Sequence, residues 1–209
     1  MLADKLKGAG GGPGIEFEFV DWAEAGNSSA TITVPAAAQA GDWAVIICFN
    51  LYNYNYNPSG WTFDDYEYGT YMRGRTYNKV LDGTETSVQV FSSGYVHANA
   101  QIAVFRPSSP ISNVYIGGKD WVIAASTSIN ATVSGYDQPH ICIGAACDWP
   151  TTTRTLSGTF WDDNRQSTSQ YAKINLYYEL QNEEDENRTM QISGSGTFSG
   201  HYGAMYSFD

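Results

Sequence analysis

The sequence predicts an all-β chain: a large antiparallel β-sandwich, jelly-roll-like, internally duplicated into two halves related by a pseudo-two-fold. Three observations predict it. Apolar and polar residues alternate with period two in one short segment after another, and no window sustains a helical period. Turn residues punctuate these segments about every ten positions, the spacing of sandwich strands. The 209 residues include 15 Tyr, 6 Trp and 21 Gly, while charged residues make up only 16%, against about a quarter in ordinary globular chains. Aromatic residues suit pleated faces and Gly suits tight corners.

Residues 1–14, ending in GAGGGPG, read as a Gly-rich arm that cannot hold a regular element without a large entropy loss. The arm carries Lys5 and Lys7, two of only 11 cationic side chains. One sandwich domain is expected over 15–209, its halves spanning about 15–112 and 113–209. EFEFVDW (16–22) alternates. SATITV (29–34) alternates and stops at Pro35. WAVIICFNL (43–51) is continuously apolar, as a central strand buried on both faces must be. TYMRGRTYNKV (70–80), SVQVFSS (87–93) and HANAQIAVF (97–105) complete the first set. WVIAAS, TSINATV, HICIGAAC, YAKINLYYEL, RTMQISGS and YGAMYSF make the second.

The sets echo one another. WAVIICF (43–49) is echoed by the run from His140 to Ala146, RGRTYNKV (73–80) by KINLYYEL (173–180), and HANAQIAVF (97–105) by GHYGAMYSF (200–208). The offset grows from about 97 to about 103, as small loop insertions would make it. One large sandwich or two tandem small ones would fit. No Pro/Gly-rich linker separates the halves near 106–120, which favours one body.

The formal charge of −11 disfavours nucleic acid as a partner, because an acidic surface repels phosphates. No run approaches the roughly 18 apolar residues of a membrane span, so no membrane role is expected. The N-terminal residues lack the apolar stretch of a secretion signal. Three cysteines, Cys48, Cys142 and Cys147, are too few and too irregular for a disulfide framework, and Cys48 and Cys142 fall in apolar runs as buried thiols.

The chemistry-bearing residues do not assemble into catalytic spacing. His97, His140 and His201 form no H-x-x-H pair, and no G-x-S-x-G elbow or phosphate-binding Gly loop occurs. Carboxylates cluster at Asp64, Asp65 and Glu67, at Asp162 and Asp163, and at Glu183, Glu184, Asp185 and Glu186. Such pairs could serve glycoside hydrolysis or hold calcium, but none has EF-hand spacing. The 183–186 run takes the hairpin position that Asp82-Gly83 fills in the first half, so a solvated turn is expected there. No enzyme activity, cofactor or metal is expected. The stretch Leu51 to Asn57 alternates Tyr with Asn, which places Tyr52, Tyr54 and Tyr56 on one face of an extended segment. With Trp61 nearby, these rings could meet another subunit, stack on a sugar, or pack on their own sandwich.

Several features recur in order: Pro35, then Gly41-Asp42 and an apolar strand; Pro58-Ser59-Gly60-Trp61-Thr62; Tyr77-Asn78-Lys79-Val80 with Asp82-Gly83-Thr84-Glu85; and Val104-Phe105-Arg106. Gly41-Asp42 and Asp82-Gly83 are turn signals. Pro58 and Gly60 shape a loop that lays Trp61 on the core, and Arg106 can snorkel or pair at its strand end. Over residues 30–112 this order resembles a family of tailed-bacteriophage structural proteins, with YNKV standing where the family pattern has YKV. The second half matches only through the internal echo. The opening, a short Leu/Lys peptide followed by glycines, also resembles the start of phage virion proteins. The resemblance implies a virion structural protein assembled in the host cytoplasm. A capsid decoration or cement protein is the first expectation, a homo-oligomer on the major capsid protein or other virion proteins with Lys5 and Lys7 on its contact arm. The second is a tail or fibre accessory that binds host glycan.

Overall fold

A computed structural model describes residues 15–26, 31–50, 57–68, 72–91, 98–124, 128–133, 140–149, 155–158, 163–166, 173–181, 188–193 and 198–209. Among them no helix forms. Fifteen strands do: β1 (Phe17–Gly26), β2 (Thr31–Thr33), β3 (Trp43–Asn50), β4 (Thr62–Tyr68), β5 (Arg73–Val80), β6 (Ser87–Gln89), β7 (Ala98–Pro107), β8 (Val114–Ala124), β9 (Ser128–Val133), β10 (His140–Trp149), β11 (Thr155–Gly158), β12 (Asp163–Gln166), β13 (Lys173–Gln181), β14 (Arg188–Ser193) and β15 (Phe198–Phe208). The expected all-β class is the observed one, and the pairings are antiparallel.

Two large sheets run β1-β7-β3-β5-β4 and β8-β15-β10-β13-β12, and two small ones run β2-β6 and β9-β14-β11. Every strand of the first large and first small sheet comes from residues 17–107; every strand of the others comes from 114–208. Among the described residues strand order is the same in both halves, position for position, with β11 the one strand of the second half that has no described counterpart in the first. β9 lies against β8 and β15 as β2 lies against β1 and β7.

The central strand β3 explains the layering. All eight of its residues are buried. Trp43, Val45, Ile47 and Phe49 face the second large sheet and meet Ile141, Ile143, Ala145, Cys147, Leu176, Tyr202 and Tyr206. Ala44, Ile46 and Cys48 face the other way and pack with Ile32 of β2 and Val88 of β6. A large aliphatic or aromatic side chain in either layer contributes on the order of 2–3 kcal/mol by leaving water. The first half closes a sandwich of its own, and its large sheet also packs face to face with the large sheet of the second half.

With Val80 matched to Leu180, the shift of 100 that the sequence echo gives, the ladders set the other two shifts. Trp43 pairs with Val80 and Phe105, while Ile141 pairs with Leu180 and Tyr206. Facing the shared core, Trp43 therefore corresponds to Ile141, a shift of 98 rather than 97. Phe105 corresponds to Tyr206, a shift of 101 rather than 103. A one-residue slip would have turned every side chain of β10 to the wrong face.

Candidate functional site

The spaced sequence features become three staples of the first half. In the first, Gly41 takes φ 90°, a left-handed turn conformation open to glycine. Its amide donates to Leu81 O (2.8 Å), and Leu81 N donates to Asp42 O (2.8 Å). Asp42, 2% exposed, accepts Gln39 N on Oδ2 (2.8 Å) and both Nε and Nη2 of Arg106. Arg106 Nη2 also donates to Ala37 O (2.9 Å), and Nη1 lies 3.7 Å from Glu18 Oε1. In the second staple, Trp61 N donates to Pro58 O (3.3 Å), and the half-buried indole packs against the core between the first large and small sheets. In the third, Asp82 Oδ1 accepts Thr84 N (2.9 Å), Glu85 accepts the amides of Asp82 and Gly83, and Lys79 pairs with both carboxylates. The hydrogen bonds from Thr84 hold the Asp82 carboxyl down at about 2.

One polar cluster crosses between the large sheets. It starts at a β-bulge in β4: Phe63 pairs with Tyr77 and Asp65 with Thr76, leaving Asp64 as the extra residue. Asp64 Oδ1 accepts Asn78 Nδ2 at 2.5 Å, and Oδ2 accepts the Tyr206 hydroxyl at 2.9 Å. Asn78 Oδ1 in turn accepts Trp43 Nε1 (3.3 Å), and the Tyr206 and Tyr202 hydroxyls lie 3.1 Å apart. Lys119 of β8 reaches Asp65 Oδ2 at 3.1 Å. Burial pushes the Asp64 carboxyl up to about 6. The hydrogen bonds of Tyr206 and Asn78 and the charge of Lys119 oppose that shift, and the charge of Asp65 adds to it. Burial also raises both phenols, so they act as neutral hydroxyls. The cluster can take up and release one proton near mildly acidic pH.

The same bulge works outward. In a regular strand Phe63 and Tyr66 would lie on opposite faces. The extra residue puts both on the outer face, their rings 5.9 Å apart at 26° and exposed by 40% and 47%. Phe63 also touches Tyr77, whose hydroxyl donates to Asn57 Oδ1.

Of the residues singled out in the sequence, Asp64 and Asp65 come together. They stand on a strand, Asp64 turned into the sheet contact. The Trp61 ring rests half-buried on its own core. Tyr52, Tyr54, Tyr56, Lys5, Lys7, His97, Asp162 and the 183–186 run lie outside the described residues. None of the three cysteines is in a disulfide, and all are buried. Sequence reading left Arg106 without a named partner and did not single out Tyr202, Tyr206, Asn78 or Lys119 for a site. These lie on four strands, and only the spacing of Tyr202 and Tyr206 hinted that they share a face. Beside Arg106 a cleft of about 220 Å³ is lined by Glu16, Phe17, Glu18, Pro107 and Ser108. No group of His, Cys, Asp or Glu among the described residues could hold a metal ion. Compared with known protein families, curated proteins and solved structures, the chain finds no match.

Proposed function

We propose that this chain is a non-enzymatic structural protein of a tailed-phage virion, most simply a capsid decoration protein that binds the major capsid protein as a homo-oligomer. One observation supports it above the rest. The residues that carry the phage-family resemblance are engaged in holding the fold: Asp42 with Arg106, Pro58 with Trp61, Lys79 with Asp82 and Glu85. The strand order supports the rest of the reading. The strand order of the first large sheet and of its β2-β6 partner recurs in the second half, as internal duplication would leave it. Two large sheets packed face to face leave outer surfaces that could bridge neighbouring subunits. Particles assembled without this chain should release their contents at lower temperature, and adding it back should restore resistance. Equal heat resistance with and without it overturns the proposal.

A tail or fibre accessory that binds host glycan is the second reading, and the exposed Phe63–Tyr66 pair favours it. Exposed stacked aromatic rings, one of them bearing a hydroxyl, are a chemistry that grips a pyranose. Glycan binding lost in a Phe63→Ala/Tyr66→Ala variant would favour this reading; a silent glycan array for the intact chain would remove it.

A further inference from the structure

The chain Asp64–Tyr206–Tyr202 joins the edge strand β4 of the first large sheet to β15, the strand beside the edge of the second. Its geometry is closed at each step. Asp64 holds Asn78 Nδ2 on one oxygen and the Tyr206 hydroxyl on the other, and the Tyr206 and Tyr202 hydroxyls are within hydrogen-bond distance with either able to donate. Tyr202 lies beside the hydroxyl of Thr76, fully buried on β5. Past the carboxylate, every oxygen is a hydroxyl, which both donates and accepts.

Among the described side chains, two charged groups act on this carboxylate. Asp65 faces it from β4 and Lys119 from β8, the latter 3.5 Å from the Asp64 carbonyl oxygen. β15 presents the two phenols, and β5 presents Asn78 and Thr76. β3 reaches it through Trp43 and Asn78. Arg75 and Lys79 alternate with these residues on β5 and so belong to its other face.

We propose that Asp64 is a one-proton clasp between the two large sheets, which tightens when it is protonated. Ionised, the carboxylate takes a hydrogen from Asn78 and one from Tyr206, and Tyr202 donates to Tyr206. A proton from solvent on Oδ2 reverses the hydroxyl chain. Asp64 then donates to Tyr206, Tyr206 to Tyr202, and Tyr202 toward Thr76, while Oδ1 keeps Asn78. No covalent bond other than the new O–H forms. The hydrogen bonds across the sheets survive in both states, and the second state carries no buried charge.

The sign follows from burial. The folded-state value of about 6 lies above the ordinary 3.8, so the native chain holds this proton where the unfolded chain releases it. Stability from this group rises as pH falls from about 7, and the gain is complete below the unfolded value.

The direct test is carboxyl carbon NMR on the intact chain, which requires no variant. A midpoint for Asp64 within a unit of 6 supports the clasp, and a midpoint at or below 4 overturns it. The second test compares unfolding of the native chain with that of Asp64→Asn. The ratio of their unfolding constants should change roughly tenfold between pH 7 and pH 5, in favour of the native chain at the lower pH; a flat ratio overturns the proposal. Amide exchange localises the effect. After correction for intrinsic rates, amides of β4 and β8 should become better protected on acidification relative to those of β2 and β6. Uniform change across all four strands argues against a local clasp.

Discussion

Arg106 and Asp42, 64 positions apart in sequence, form a two-pronged ion pair: Nε meets Oδ1 at 3.0 Å and Nη2 meets Oδ2 at 2.9 Å. The carboxylate is 2% exposed, while the guanidinium side chain is 31% exposed. Asp42 also anchors the Gly41 turn, and Arg106 ends β7. The pair therefore ties the entrance of the central strand β3 to the exit of its neighbour. Its charge-assisted hydrogen bonds and the nearby Glu18 raise the Arg106 value further above its already high ordinary one.

Replacing Arg106 with Ala should cost about 3 kcal/mol, because it strands a buried carboxylate. Arg106→Lys should recover only part of that, since an ammonium lacks the fork that engages both oxygens. Urea midpoints of the three proteins check this. Equal midpoints would mean that the pair contributes nothing net.

Gly74 is held by a close approach between the large sheets. A Cβ there would lie 1.9 Å from Trp121 Cζ3, a rigid ring packed on Phe49 and Tyr202. Gly74→Ala should destabilise by about 1–3 kcal/mol. In a Trp121→Ala background the same change should cost less by at least about 0.5 kcal/mol, as contacting residues couple. Additive costs would show that the crowding is relieved elsewhere.

The 82–85 turn should define the acid limb of stability. Asp82 sits at about 2 in the fold, below its ordinary 3.8. Glu85 is also lowered: burial pushes it up, but the Lys79 hydrogen bond and the turn amides outweigh that. Groups lowered by folding contribute above their unfolded values and lose that contribution as pH falls through the folded ones. The thermal midpoint difference between the native chain and Asp82→Asn should therefore shrink from pH 5 to pH 2.5. This is opposite in sign to the trend from Asp64. A difference that grows toward low pH would contradict the assignment.

The cysteines should be silent in the folded protein. Burial pushes the Cys48 thiol far up, only partly offset by Arg75, and Cys142 and Cys147 are fully buried. An aqueous thiol reagent should label none of them rapidly at pH 8, and the labelling rate should follow denaturant through the unfolding transition. Fast labelling of one thiol in native buffer would place it at a local opening.

The amino-acid sequence by itself determined the all-β class, most of the strands and the turns between them. These follow from local chemistry: period-two alternation, an unbroken apolar run at 43–49, and Gly, Asp and Pro at corners. It also carried a trace of the repeated order. It could not set the register of that repeat, because β3 is buried on both faces and so has no polar side to mark its orientation. The tertiary structure decided that the large sheets pack face to face. It also decided what the one extra residue of β4 does. That bulge turns Asp64 inward to Tyr206 and brings Phe63 and Tyr66 to one outer face. Neither consequence is local, since each depends on which strands lie beside and across from β4, and residues 142 positions apart meet only when both sheets are built.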